Sequence, residues 1–164
     1  MSRVHYQYLL EYYQNIYGDY MQDEDCVLRD DQTPVSGKIC KFTMLKLHGQ
    51  KYRSLEAATS RSSHIQAMFW DSTKENINNP AAEPSFYAGQ VLYYFQHNLA
   101  TKGTYTFAMP LINAGVKVWN NEFDPLTFQS VLPISCIYAP FAVGKYKDEN
   151  KIVAIPLEAK FYIN

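Results

Sequence analysis

The sequence predicts a mainly β domain of the α+β kind, in which short antiparallel strands form a small, partly open barrel behind one N-terminal helix. Three observations carry that prediction. The run Ser85 to Leu99, SFYAGQVLYYFQHNL, alternates like a half-buried strand, with Val91, Tyr93, Phe95, His97 and Leu99 on one face and Gln90, Leu92, Tyr94, Gln96 and Asn98 on the other. Short β-patterned segments recur with turn formers close between them, which suits hairpins better than βαβ units. The chain also carries 14 tyrosines and 9 phenylalanines. Such rings cover a sheet face while a tyrosine hydroxyl still finds a partner.

Taken in order, the chain divides into an N-terminal helix (residues 1–20), an acidic linker (21–37) and a β-rich domain (38–164). Arg3 to Tyr17 reads as the helix, with Val4, Tyr8, Tyr12 and Ile16 on one stripe, Leu9, Tyr13 and Tyr20 widening it, Ser2 as cap and Gly18 as stop. The next stretch crowds Asp19, Asp23, Glu24, Asp25, Asp30 and Asp31 without the spacing of a calcium loop, and so reads as a solvated linker. Lys38 to Leu47 is the first strand, closed by a His48-Gly49 turn. Ser63 to Trp70 alternates again, and Asp71 to Pro84 is a long polar loop leading into the central strand. Tyr105 to Leu111 follows, with Pro110 pushing it toward a sheet edge, then Val116 to Trp119 and a short strand Gln129 to Leu132. Phe141 to Tyr146 and Lys151 to Leu157 form a hairpin across Lys147-Asp148-Glu149-Asn150, and Lys160 to Ile163 is a last strand.

Composition bounds the function. A length of 164 residues is one domain, able to bury about 70% of the surface of its unfolded chain. With 15 basic against 16 acidic residues there is no global attraction to nucleic acid or to an anionic membrane. No stretch approaches the about 20 apolar residues of a membrane span, and the start lacks the apolar core of a signal peptide. Cys26, Cys40 and Cys136 are odd in number and lack CxxC spacing, so they read as free thiols in a reducing compartment, with no metal or other cofactor expected. Pairing Cys136 with His97 or His64 makes a poor nucleophile, because ISCIY is an apolar run where a thiol is inert. Gly-x-Ser-x-Gly, glycine-rich phosphate loops and His-Glu-x-x-His are all missing, so the chain reads as a non-enzyme.

What remains is recognition. Glu122 and Asp124 flank Phe123 just after Trp119 and read first as a plain surface turn, with paired acids for acid/base work or an aromatic pocket closed around a cation as the alternatives. Phe107 and Tyr87 are further aromatic candidates for such a peptide-binding surface. The competing reading is DNA contact through Lys145, Lys147, Lys151 and Lys160 on the last hairpins.

Three blocks, FYAGQVLYYFQHNL, VWNNEFDPLTFQSVLPISCIYAPFAVGKY and VAIPLEAKFYIN, resemble the C-terminal region of fungal transposon-derived proteins of the KDZ or Plavaka type. The resemblance rests on Tyr87, Gly89, Gln90, Val91, Phe95 and His97; on Trp119, Asn120, Phe123, Pro133, Ile137, Phe141, Lys145 and Tyr146; and on Pro156, Lys160, Phe161 and Ile163. The blocks are also distantly similar to bromo-adjacent homology modules, with Gly89-Gln90-Val91-Leu92 as the first strand motif, Asn121-Glu122-Phe123 next and Pro133 to Ile137 after it. Gln90 stands where those modules have Asp, and Phe107-Ala108-Met109-Pro110 where a Trp-Phe-x-Arg-Pro run belongs, a departure from any methyl-lysine cage. The resemblance implies a nuclear interaction module with a protein or peptide partner, a histone tail included, and no DNA-cutting activity.

Overall fold

A computed structural model describes residues 1–57, 63–69, 85–100, 102–113, 118–120, 125–145 and 151–156. Residues 112–113, 118–120, 144–145 and 151–156 are described by backbone alone. The chain is mainly β with one helix. Helix α1 (Arg3–Tyr17) is followed by strands β1 (Met21–Asp23), β2 (Thr33–Val35), β3 (Ile39–Phe42), β4 (Met44–Leu47), β5 (Gln50–Arg53) and β6 (His64–Phe69). Then come β7 (Ser85–Leu99), β8 (Gly103–Asn113), β9 (Val118–Asn120), β10 (Leu132–Pro133), β11 (Ile137–Lys145) and β12 (Lys151–Pro156).

β7 is the wall on which everything else is hung. One of its edges pairs with β8 along its length, and the other is shared by β6 over residues 85–90 and β3 over residues 94–97. Between those two, Leu55 N donates to Val91 O at 2.7 Å and Glu56 N to Leu92 O at 3.4 Å. The β7–β8 register slips there, from Val91 opposite Pro110 to Tyr93 opposite Met109, so Leu92 is an extra residue in a β-bulge. Pro110 has no N–H to give, and the ladder breaks where its donor is missing. Pro110 is buried, and because β10 meets β8 only at Phe107 and Ala108, among the described residues β8 is paired on one side alone at Pro110, the edge position its missing N–H predicts.

The bulge turns the strand over. Tyr93, Phe95 and Leu99 face α1, joining Leu9, Leu10, Tyr13, Met21, Val35, Phe107 and Met109 in one core. Val91 faces the other way, with Tyr94, Ile65, Ala67, Tyr52, Ala108, Leu132 and Ile137 in a second core. The expectation that Val91 shares a face with Tyr93 therefore fails at the bulge, since one inserted residue reverses the alternation.

The main sheet runs β10-β8-β7-β6-β11-β12-β9. Laid flat, β10 and β11 would stand four strand spacings apart, about 19 Å. Only the three residues Ile134–Cys136, a 3-10 turn, join them, and such a turn advances about 2 Å per residue. The sheet must therefore curl toward itself around the second core. Among the described residues it does not close into a barrel, because its end strands β10 and β9 are not paired with each other.

α1 starts and stops where its caps predict, with Ser2 Oγ accepting from His5 N and Gly18 at φ 97°. Its buried face is Leu9, Leu10 and Tyr13, whereas Val4 and Ile16, expected in the buried stripe, are exposed. The segment read as an acidic linker contributes β1 and β2, the parallel pair, and inserts Met21 and Val35 into the first core. β4 and β5 form a hairpin closed by His48 and Gly49, both at positive φ (49° and 78°), as a two-residue turn requires. Where a strand Gln129 to Leu132 was expected, residues Phe128–Ser130 form a 3-10 turn boxed by Thr127 and Ser130, and strand returns only at Leu132–Pro133. The hairpin of β11 and β12 is present. The 71–84 loop and the 160–163 strand lie outside the described residues.

Candidate functional site

Of the residues proposed from sequence, Phe107 and Tyr87 lie on different surfaces. Phe107 stacks on Phe95 at 5.2 Å between ring centres and is buried against α1. Tyr87 is on the opposite face of the β7–β8 ribbon, edge-on to Phe69 at 5.3 Å. One surface cannot use both, because the ribbon separates them. Trp119 lies in β9 opposite Ile152 of β12, while Glu122, Phe123 and Asp124 are outside the described residues. Lys145 ends β11 and Lys151 begins β12, so both sit at the loop end of one hairpin. Lys147 and Lys160 are outside the described residues.

A different set of residues makes a concave site. The start of α1, β3, the 55–56 segment and the β7 bulge enclose a cleft of about 580 Å³, lined by Met1, Ser2, Ile39, Leu55 and Leu92 together with the polar groups of His5, Lys41, Glu56 and Tyr93. That size and that mixture of apolar wall with a few converging polar groups are typical of a binding site. Each contributor is placed by fold. The bulge pushes the Leu92–Tyr93 corner outward, antiparallel pairing with β7 sets Lys41 opposite Phe95, and the Ser2 cap fixes the first helical turn that carries His5.

The polar groups form one chain of contacts. His5 Nδ1 lies 2.6 Å from Tyr93 Oη, Lys41 Nζ sits 4.0 Å above the centre of the Tyr93 ring, and the same Nζ is 2.5 Å from Glu56 Oε1. Burial, with a smaller push from Glu56, raises the Tyr93 hydroxyl to about 12, so it stays protonated. Burial, then Lys41, holds His5 below the usual imidazole value and therefore neutral near pH 7. Tyr93 is only 4% exposed, and its donor is used when it gives its proton to Nδ1, which leaves the imidazole N–H on Nε2. Ser2 Oγ is spent on the helix cap. The cleft thus offers hydrogen-bonding groups, a partly exposed charge pair and apolar wall.

Nothing local in the sequence marks this site. His5 and Tyr93 are 88 positions apart, and Tyr93 turns toward the helix only because of a bulge that alternation cannot report. Among the described residues no group of three or more His, Cys, Asp or Glu could hold a metal, and no helix is long and apolar enough to cross a membrane. Compared with known proteins, the chain matches no family model, no curated protein and no solved structure.

Proposed function

We propose that the chain is a non-enzymatic interaction module that seats a short peptide in the cleft between the α1 N-terminus and the β7 bulge. The observation that carries this reading is the cleft itself, about 580 Å³, in which the apolar side chains of Ile39, Leu55 and Leu92 meet the His5–Tyr93–Lys41–Glu56 chain of polar groups. A cleft of that size with apolar wall and a few convergent polar groups is what a binding site needs, and Leu55, 41% exposed, is the wall residue most open to a ligand. The sequence blocks that resemble fungal transposon-derived proteins and bromo-adjacent homology modules support the same class of function, and a nuclear setting follows from them alone.

The test is selection of peptides from a display library on the full chain, followed by titration into Leu55→Asp. Peptides that use the cleft lose at least about tenfold in affinity when a charge is set in its wall, while the denaturation midpoint is unchanged because the side chain is exposed. Selected peptides that bind the variant as tightly as the parent would overturn the cleft as the seat.

A second reading is favoured by the β11–β12 register, which sets Lys145 and Lys151 at one hairpin end. If that end contacts DNA, affinity for a duplex falls steeply with salt in proportion to the phosphates neutralised. An affinity unmoved by salt excludes it.

A further inference from the structure

Lys41 holds its ammonium in the cleft in the way that an external cation would be held. Its ammonium lies over the face of Tyr93, 4.0 Å from the ring centre, with the Glu56 carboxylate as its partner. A cation held over an aromatic face beside a carboxylate is how a lysine or arginine head group is recognised. Here the seat is filled by the protein's own side chain. The pair is weakly held, since the two side chains are 43% and 45% exposed and an ion pair so open to water is screened.

We propose that the Tyr93–Glu56 seat takes a lysine or arginine side chain of the bound peptide, with Lys41 as a built-in competitor that swings into solvent when the guest arrives. This deepens the peptide-binding reading and rests on it. Ile39, Leu55 and Leu92 would cover the guest's aliphatic stem, as apolar walls do for long basic side chains. His5 Nε2–H is left to bind a peptide carbonyl. An acidic guest fits worse: it would have to draw Lys41 away from both partners and then face the uncovered Glu56 carboxylate.

The experiment titrates the full chain with a capped Ala-Lys-Ala peptide and its norleucine counterpart, following the amide and ring signals of Leu92 and Tyr93 by NMR. Parent, Lys41→Ala, Lys41→Gln and the double variant Lys41→Ala/Glu56→Gln are compared. Removing the competitor is expected to tighten lysine-peptide binding about tenfold in both single variants, with loss of the gain in the double variant and with norleucine. The inference is overturned if neither single variant gains, or if norleucine gains equally. Should display-selected peptides still depend on Leu55 in that case, the seat is wrong and the module reading stands. If no selected peptide depends on Leu55, both fall.

Discussion

His97 shows how much a single side chain can hold together. Its Nε2 donates to Ser36 O at 2.8 Å and its Nδ1 accepts from Tyr13 Oη at 2.9 Å, so one imidazole ties β7 to α1 and to the turn after β2. It is 1% exposed, and burial holds it below the ordinary value of 6.5 although the Ser36 carbonyl and Glu24 pull upward. Above that value both folded and unfolded chains have a neutral imidazole; below it the unfolded chain takes a proton that the folded one refuses. Stability from this group is therefore fully present above about pH 6.5 and is lost as pH falls through the lower folded-state value. The urea midpoint is expected to drop between about pH 6.5 and 5, before most carboxylates titrate. In His97→Gln the drop becomes shallower but does not vanish, since His5 is also held low. An unchanged slope in that variant would show that His97 titrates normally. The sequence places His97 on one face of a strand, where it is, but its partner Tyr13 lies 84 positions away and no spacing rule reaches that far. Phe107 was misjudged for the related reason that an aromatic residue reads alike whether it faces solvent or a helix.

Elements whose period is long enough to repeat were legible. Helix α1, strand β7, the β4–β5 turn and the β11–β12 hairpin all occur where alternation, caps and turn formers place them. β1 and β2 were not, because a three-residue strand has no period and theirs is set among acidic residues. The bulge was missed because alternation is read by counting, and one extra residue leaves the composition on both faces plausible. Its role is testable by deletion. Without Leu92, Val91 and Tyr93 become adjacent, pair in unbroken register with Pro110 and Met109, and still point to opposite faces, so every side chain of β7 keeps its core. The deletion is therefore expected to cost about as much as Leu92→Ala, about 1 kcal/mol, since the Leu92 side chain is only partly buried. A loss of about 3 kcal/mol or more in chemical denaturation for the deletion alone would mean that the sheet needs the shape of the bulge and not only the order of side chains that it permits.

At the scale of the molecule, the mainly β class followed from many short alternating segments, while the strand order that curls the sheet did not. It depends on β10 and β11 pairing with different strands across a three-residue turn, a long-range choice that local pattern does not encode. The same curl gives the fold two cores with one common wall. Tyr93 and Tyr94 are neighbours in the chain, 4% and 0% exposed, yet they belong to opposite cores. Neither core can lose its order without uncovering side chains of the strand that bounds the other. The two are therefore expected to unfold as a unit, and the comparison of Leu9→Ala with Ile65→Ala tests it, since each residue is fully buried and each lies in only one core. Each substitution should cost about 2–5 kcal/mol. In hydrogen exchange, the amides of β7 from Tyr94 to His97 should be the slowest and should lose protection in both variants by the full equilibrium destabilisation. α1 amides should lose protection under Ile65→Ala as well, although that residue touches no part of the first core. If Ile65→Ala leaves α1 protection untouched, the helix layer and the curled sheet open separately, and β7 is a surface that the two layers share without being coupled through it.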